Sequence, residues 1–177
     1  MMAMLDRVLA GIEDALLLVS CLCILAIVGI TTADVAARSL FNAPFAWSHD
    51  LITQYLLVAM FFLSLPYVTR IGGHMALDFA ARKIRSPAFR TGLALFGEVL
   101  ALLFILGFIA GAWGTAMESY QGGDMLPGDL AWPTWPSRLV GPVGAFALAL
   151  RLLVRIGQAV QALKHGAVPR FLGQGGH

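Results

Sequence analysis

The stretch ALLLVSCLCILAIVGITTA, residues Ala15–Ala33, contains 19 residues, and none of them is Asp, Glu, Lys or Arg. A helix needs about 20 predominantly apolar residues to cross the hydrocarbon core of a membrane. Two later runs, Leu51–Thr69 and Val99–Met117, have the same length and the same lack of charge. The sequence therefore predicts at least three membrane-spanning helices.

A fourth run, Leu139–Leu150, has only 12 uncharged residues and is bounded by Arg138 and Arg151. It reaches the length of a span if these two arginines extend their charged ends to the two membrane interfaces. The composition agrees, because 59% of the residues are hydrophobic and only 12% are charged, whereas soluble domains carry about 25% charged residues. We predict an all-α integral membrane protein with four transmembrane helices and interfacial amphipathic helices, at the N-terminus and after the first span.

The whole chain, 1–177, is predicted to be a single four-helix membrane domain. We expect spans at about 15–37, 50–69, 92–117 and 136–154, an amphipathic arm at 1–14 and an amphipathic tail at 155–177. In the arm, apolar residues recur at helical spacing, and the acids Asp6, Glu13 and Asp14 lie off that stripe. The arm either lies on the membrane surface or simply extends the first helix.

Basic residues concentrate in two of the segments that flank the spans. The segment between the second and third spans carries Arg70, Arg82, Lys83, Arg85 and Arg90, and Arg151, Arg155, Lys164 and Arg170 follow the fourth run. With four spans these two segments lie on the same side, and the positive-inside rule places that side in the cytoplasm. We therefore expect both termini in the cytoplasm and the segment after the first span on the outer side.

The sequence shows no arrangement of residues that is typical of catalysis or of ion transport. None of the four histidines, His49, His74, His165 and His177, lies within an apolar run, which argues against a haem held between spans. There is no Gly-rich phosphate loop, no Ser/His/Asp set and no metal-spaced cluster, and the centres of the spans are almost wholly apolar. We predict no enzymatic activity, no catalytic residue, no cofactor, no metal site and no nucleic-acid partner.

Two stretches around the second span carry a family resemblance. DVAARSLFNAPFAWSHDL (34–51) and YVTRIGGHMALDF (67–79) together resemble the DctQ-like small membrane subunit of TRAP (tripartite ATP-independent periplasmic) transporters. The matching residues are Arg38, Phe41, Asn42, Pro44, Trp47, Ser48, Asp50, Arg70, Gly73, His74 and Asp78. Two departures are Ser39, where that family usually has an aromatic residue, and His49, which replaces one of two acids.

The resemblance implies a non-catalytic small subunit of a secondary, ion-coupled importer of organic anions, commonly carboxylates, with sodium as the expected ion. It implies three partners: a large membrane subunit that holds the transport sites, a periplasmic substrate-binding protein and membrane lipid. The implied location is a bacterial inner membrane. The competing class is a self-contained small membrane protein, either a homo-oligomeric channel or the anchor of a redox complex. A channel would show a polar stripe along one helix, and a redox anchor would show histidines within its spans.

The matching residues, together with Asp34 and Glu98, are our candidates for a partner interface or a scaffold. Asp34 and Arg38 are four residues apart at the end of the first helix and can share a face. Trp47 and Ser48 have a simpler explanation as a membrane-interface anchor and a helix N-cap, with Asp50 in the positive first turn.

Small residues recur on the third and fourth helices at helical spacing. They form two ladders, Gly107, Gly111 and Thr115 on the third and Gly141, Ala145 and Ala149 on the fourth. Such ladders allow close helix approach in lipid. Packing within the chain is one explanation, and a face for a partner is the other.

Overall fold

A computed structural model of the protein describes residues 2–72, 87–126 and 131–164. Helix α1 is Met2–Phe41. Helix α2 comprises three consecutive segments, Ser48–Asp50, a π-helical segment Leu51–Leu56 and Leu57–Arg70. Helices α3 and α4 are Pro87–Gly122 and Trp135–Lys164. All four are long and apolar enough to cross a membrane, which confirms the predicted fold class.

The first helix is longer than the predicted span. Residues 2–14 continue into it without a break, so the arm is an extension of α1. At its other end, Asn42 has a φ of 53°, a left-handed conformation that Asn adopts more readily than most residues. Residues 42–47 are not helical, so the interfacial helix expected after the first span is absent there.

Ser48 is the first residue of α2, so the prediction that it is the N-cap is wrong by one position. Trp47 holds the N-cap position, and no side chain there accepts a hydrogen bond from the helix. The Ser48 hydroxyl instead donates to the carbonyl oxygen of Phe45, at 2.8 Å. Ser48 therefore fixes the loop that leads into α2.

Helix α4 is the centre of the packing. It contacts both α2 and α3 along its length, α1 packs mainly on α2, and a smaller contact joins α1 to α4. In the most apolar stretch of α4, 61% of the residues are buried, against 6% to 11% in the other three helices. Few residues of the other three helices are thus fully buried, and α1 and α3 in particular keep many exposed apolar residues.

Small residues explain why α4 can be so enclosed. A Cβ at Gly144 would lie 2.5 Å from the carbonyl oxygen of Phe62, so only glycine permits α2 to approach this closely. The predicted α4 ladder of Gly141, Ala145 and Ala149 is buried.

The predicted α3 ladder is placed differently. Gly107, Gly111 and Thr115 are exposed, and a Cβ at either glycine would meet nothing within 4 Å. Within the described part of the chain, these two glycines therefore do not pack against another helix. Their face of α3 is open.

Candidate functional site

Most of the buried polar residues occur at two levels along the helix axes, with Ser20 and Thr91 as exceptions. Each helix has one such residue at each level, on the helix or next to its end. The two residues of a helix are 21 positions apart in the sequence. In the order α1 to α4, the pairs are Glu13 and Asp34, Ser48 and Thr69, Glu98 and Ser119, and Thr134 and Arg155. At 1.5 Å per helical residue this spacing is about 31 Å, close to the thickness of the hydrocarbon core. The two levels are therefore separated by about the thickness of the hydrocarbon core, as expected for groups near the two membrane interfaces.

We call the two levels the terminal layer and the loop layer. The terminal layer, near the N-terminus of the chain, consists of Asp6, Glu13, Asp14, Thr69, Arg70, Glu98, Arg151 and Arg155. The loop layer, at the opposite end, consists of Asp34, Ser48, Ser119, Thr134 and Ser137.

A buried ion pair joins α4 to α1 in the terminal layer. Both carboxylate oxygens of Glu13 accept hydrogen bonds from Arg151, and the same guanidinium donates to Asp6 at 2.6 Å. The side chains of Arg151 and Glu13 are 4% and 0% exposed. Arg151 therefore pairs with acids of α1, partners that the sequence did not indicate, and its position at a membrane interface stays a prediction.

Arg70 fastens the end of α2 to the same stretch of α1. It donates to the carbonyl oxygen of Ala10 at 2.9 Å and forms a salt bridge with Asp14. Its second contact with an acid is Glu13, at 3.4 Å, and its guanidinium lies 4.7 Å from the ring centre of Tyr67. Each of these Arg70 contacts is therefore with another residue of the same chain.

Arg155 connects the remaining helices. It is 2.7 Å from a carboxylate oxygen of Glu98 on α3 and donates to the carbonyl oxygen of Thr69 on α2 at 2.5 Å. The side chains of Arg155 and Glu98 are 8% and 7% exposed. Because Arg151 and Arg155 are four residues apart on α4, a single face of that helix binds acids from both α1 and α3.

The loop layer is built mainly from neutral groups. Ser119 and Thr134 share a hydrogen bond of 2.5 Å, and Thr134 also donates to the carbonyl oxygen of Asp124, at 3.2 Å. The Tyr55 hydroxyl donates to the carbonyl oxygen of Pro133. These contacts join α2, α3 and the start of α4. None of the residues that make them forms a buried ion pair in the described structure.

Asp34 organises the loop between α1 and α2. One carboxylate oxygen accepts the backbone N–H of Phe45 at 2.7 Å, and the other accepts Arg38 at 3.0 Å. The Asp34 side chain is 12% exposed, whereas that of Arg38 is 65% exposed. The rings of Phe45 and Trp47 stack at 5.6 Å. Asp34 thus holds the loop closed and directs Arg38 outward.

The candidate residues fall into three groups. Asp34, Arg38, Trp47 and Ser48 meet around the α1–α2 loop, where Asp50 is half-buried and Phe41, Asn42, Pro44 and His49 are exposed. Arg70 and Glu98 belong to the terminal layer and face other helices of the chain. Gly73, His74 and Asp78 lie outside the described residues.

Sequence reasoning did not single out Glu13, Arg151 and Arg155 as site residues. The available signal was that Glu13 and Asp14 precede the first uncharged run while Arg151 and Arg155 follow the fourth, which places opposite charges at the same end of the predicted topology. Within the described residues, no group of three His, Cys, Asp or Glu side chains is placed to hold a metal ion.

Residues 27–162 match the family described as tripartite ATP-independent periplasmic transporters, DctQ component. The chain belongs to the DctQ family. No curated protein matches the chain in sequence. DctQ proteins are transport subunits, and they work in a tripartite complex with a large membrane subunit and a periplasmic binding protein.

The DctQ match includes the whole loop layer and most of the terminal layer. It begins after Asp6, Glu13 and Asp14, so the acids with which α1 holds Arg70 and Arg151 lie outside the matched region. The contacts in this structure, rather than the family match, assign those acids their role in packing.

Proposed function

We propose that this chain is the non-catalytic small membrane subunit of a secondary TRAP importer of organic anions, with sodium as the coupling ion. It lies in the bacterial inner membrane with both termini in the cytoplasm. It provides a fixed scaffold for the large transport subunit and part of the surface on which the periplasmic binding protein docks. DctQ membership supports the subunit role, and the distribution of basic residues supports the orientation.

The observation that carries the scaffold proposal is the open packing of the four helices. Only α4 is largely enclosed, and about nine in ten residues in the apolar stretches of α1, α2 and α3 are at least partly exposed. Helices in lipid associate by close packing rather than by hydrophobic burial, and small residues make that approach possible. The exposed Gly107, Gly111 and Gly114 on α3 are therefore a suitable contact for a helix of the large subunit.

The two polar layers support the idea that the chain acts as a fixed body. The terminal layer connects all four helices by charged groups, and the loop layer holds the other end by hydrogen bonds. Between them, Ser20 of α1 donates to the carbonyl oxygen of Met60 in α2 at 2.7 Å. A body fastened at both ends and in the middle is suited to resist movement of a neighbouring transport domain.

The end of α1 supports the docking role. Beyond Asp34 the helix continues for seven residues to Phe41, or about 10 Å at 1.5 Å per residue. Leu40 and Phe41 are 74% and 77% exposed there, next to the outward-facing Arg38. Together they form a projecting surface with apolar groups and one cation.

The test is gentle detergent extraction of the tagged chain from its native membranes, followed by mass spectrometry of the proteins that co-purify. We expect a large polytopic membrane protein at equal stoichiometry. A stable oligomer of this chain alone would overturn the scaffold proposal, and a conductance assay would then test for a channel.

A matched pair of glycine variants locates the contact face. Gly111→Leu on α3 and Gly29→Leu on α1 each add a side chain at an exposed position with nothing within 4 Å of the Cβ. We expect Gly111→Leu to lose the co-purifying subunit while Gly29→Leu retains it, with unchanged thermal stability of the chain in both. The opposite pattern would move the contact to α1.

A further inference from the structure

A groove of about 370 Å³ opens between α2, α3 and α4 in the half of the bundle next to the loop layer. Phe62 and Phe108 line it, and their rings stack at 5.3 Å. Gly141 and Pro142 of α4 also line the groove, and a Cβ on Gly141 would lie 3.8 Å from both rings. The backbone of α4 at Gly141 thus lies close to both rings.

The groove begins at a polar rim and runs into the apolar part of the membrane. Gln54 and Arg138 line it near the loop layer, and Phe62 follows Gln54 by eight positions on α2. Eight helical residues correspond to about 12 Å of depth. The groove therefore reaches from the level of the lipid headgroups well into the hydrocarbon core.

Arg138 has the capacity to bind an anion at this rim. Its side chain is 41% exposed, and among the described residues it pairs only with Asp124, at 3.6 Å. That distance is too long for a hydrogen bond, so the guanidinium keeps N–H donors available for a ligand. The exposed Gln54 adds an amide on the opposite side of the rim.

We propose that this groove binds one phospholipid molecule, with its phosphate on Arg138 and Gln54 and an acyl chain against Phe62 and Phe108. The surroundings at this depth are lipid, so an apolar groove below a cationic rim matches an amphiphile with an anionic head. A free phosphate ion would contact the rim alone and leave the apolar walls unfilled. A guanidinium binds a phosphate group strongly through paired N–H donors. The proposal goes beyond the scaffold role and does not depend on it.

Two substitutions on α3 make a matched test of the apolar part of the site. Ala112 lines the groove and is half-buried, so Ala112→Leu fills part of the acyl-chain site. Ala110 is exposed and is not among the lining residues, so Ala110→Leu adds the same side chain outside the groove. Arg138→Gln removes the cation from the rim and keeps a polar side chain.

The experiment uses the full chain in phosphatidylcholine nanodiscs that contain a small fraction of phosphatidylglycerol with a photoactivatable acyl chain. After irradiation, mass spectrometry locates the label on the protein. We expect the label to concentrate on groove residues of α2 and α3 and to fall several-fold in Ala112→Leu but not in Ala110→Leu. Arg138→Gln should reduce labelling by this lipid several-fold and leave labelling by a matched diacylglycerol unchanged.

Three results would overturn the proposal. One is label spread evenly over all lipid-facing helices, and another is groove labelling that Ala112→Leu does not reduce. The third comes from a photoactivatable amino acid placed at the groove position Ala112, which in native membranes would crosslink to another protein instead of to lipid. That last result would assign the groove to a partner subunit.

Discussion

The terminal layer and the loop layer hold the same four helices by different means. At the terminal layer, three arginines bind four acids, and the Glu13–Arg151 and Glu98–Arg155 pairs are almost completely buried. At the loop layer, hydroxyl groups and backbone carbonyls make most of the contacts, and the Asp34–Arg38 pair has its arginine largely exposed.

The comparison shows where this fold tolerates the loss of a contact. Removing one partner of a buried ion pair leaves an uncompensated charge and costs about 3 to 5 kcal/mol. Losing a neutral hydrogen bond costs about 0.5 to 1.5 kcal/mol. We therefore expect the terminal layer to be the more sensitive of the two, and four predictions test that difference.

The largest effect is expected for Glu13→Gln. The variant leaves Arg151 buried with only Asp6 as an acidic partner, so we expect the free energy of unfolding to fall by about 3 kcal/mol. Unfolding of the purified chain by SDS in mixed micelles measures this change. The control is Asp14→Asn, which removes an acid that is 59% exposed and should cost much less. Equal losses in the two variants would contradict the dominance of the buried pair.

The second prediction concerns whether the Glu98–Arg155 charges are needed for stability. Glu98→Leu alone leaves the Arg155 charge in a buried site and should cost about 3 kcal/mol. The double variant Glu98→Leu/Arg155→Met replaces both partners by apolar side chains of similar length and should recover most of that loss. The same unfolding assay compares the two. A double variant no more stable than the single one would show that the charges contribute more than mutual neutralisation.

The third prediction moves to the loop layer. Ser119→Ala removes a buried hydroxyl from its contact with Thr134, but Thr134 keeps the carbonyl oxygen of Asp124 as an acceptor. We expect a loss of about 1 kcal/mol in the free energy of unfolding. A loss as large as that of Glu13→Gln would remove the distinction between the two layers.

The smallest effect on stability is expected for Arg38→Ala. Its side chain is 65% exposed, and exposed ion pairs contribute less than about 1 kcal/mol. Because Asp34 directs this cation outward, we expect the variant to weaken assembly with a partner more than it weakens folding. Co-purification and uptake by the transporter are the measurements. An intact complex with normal uptake would rule out the assembly role.

Three of the four spans could be predicted from the sequence because membrane crossing depends on a local property, a run of about 20 residues without charge. The fourth run has only 12 uncharged residues and was predicted on the assumption that its flanking arginines extend it. The DctQ assignment could also be predicted, since the motif around Arg38, Asn42 and Trp47 is contiguous. The partner of Arg151 could not be predicted, because a charge at the end of an apolar run can extend into water or bind a buried acid, and the local sequence is the same in both cases.

Which of the two small-residue ladders packs within the chain could be decided only from the tertiary structure. The α3 and α4 ladders have the same spacing in the sequence, yet Gly111 faces open space and Gly141 faces the rings of Phe62 and Phe108. Which face of a helix is covered depends on the crossing of neighbouring helices. The spacing of residues along one helix does not contain that information.

The local sequence was thus sufficient for the number of membrane-spanning helices and, through a contiguous motif, for the family. The pairing of Glu13 with Arg151 and of Glu98 with Arg155, and the central place of α4, were decided only by packing in three dimensions. The physical reason is that the partners are far apart in the sequence, by 138 positions for Glu13 and Arg151 and by 57 for Glu98 and Arg155. Contacts over such distances are a property of the assembled helices rather than of any single segment.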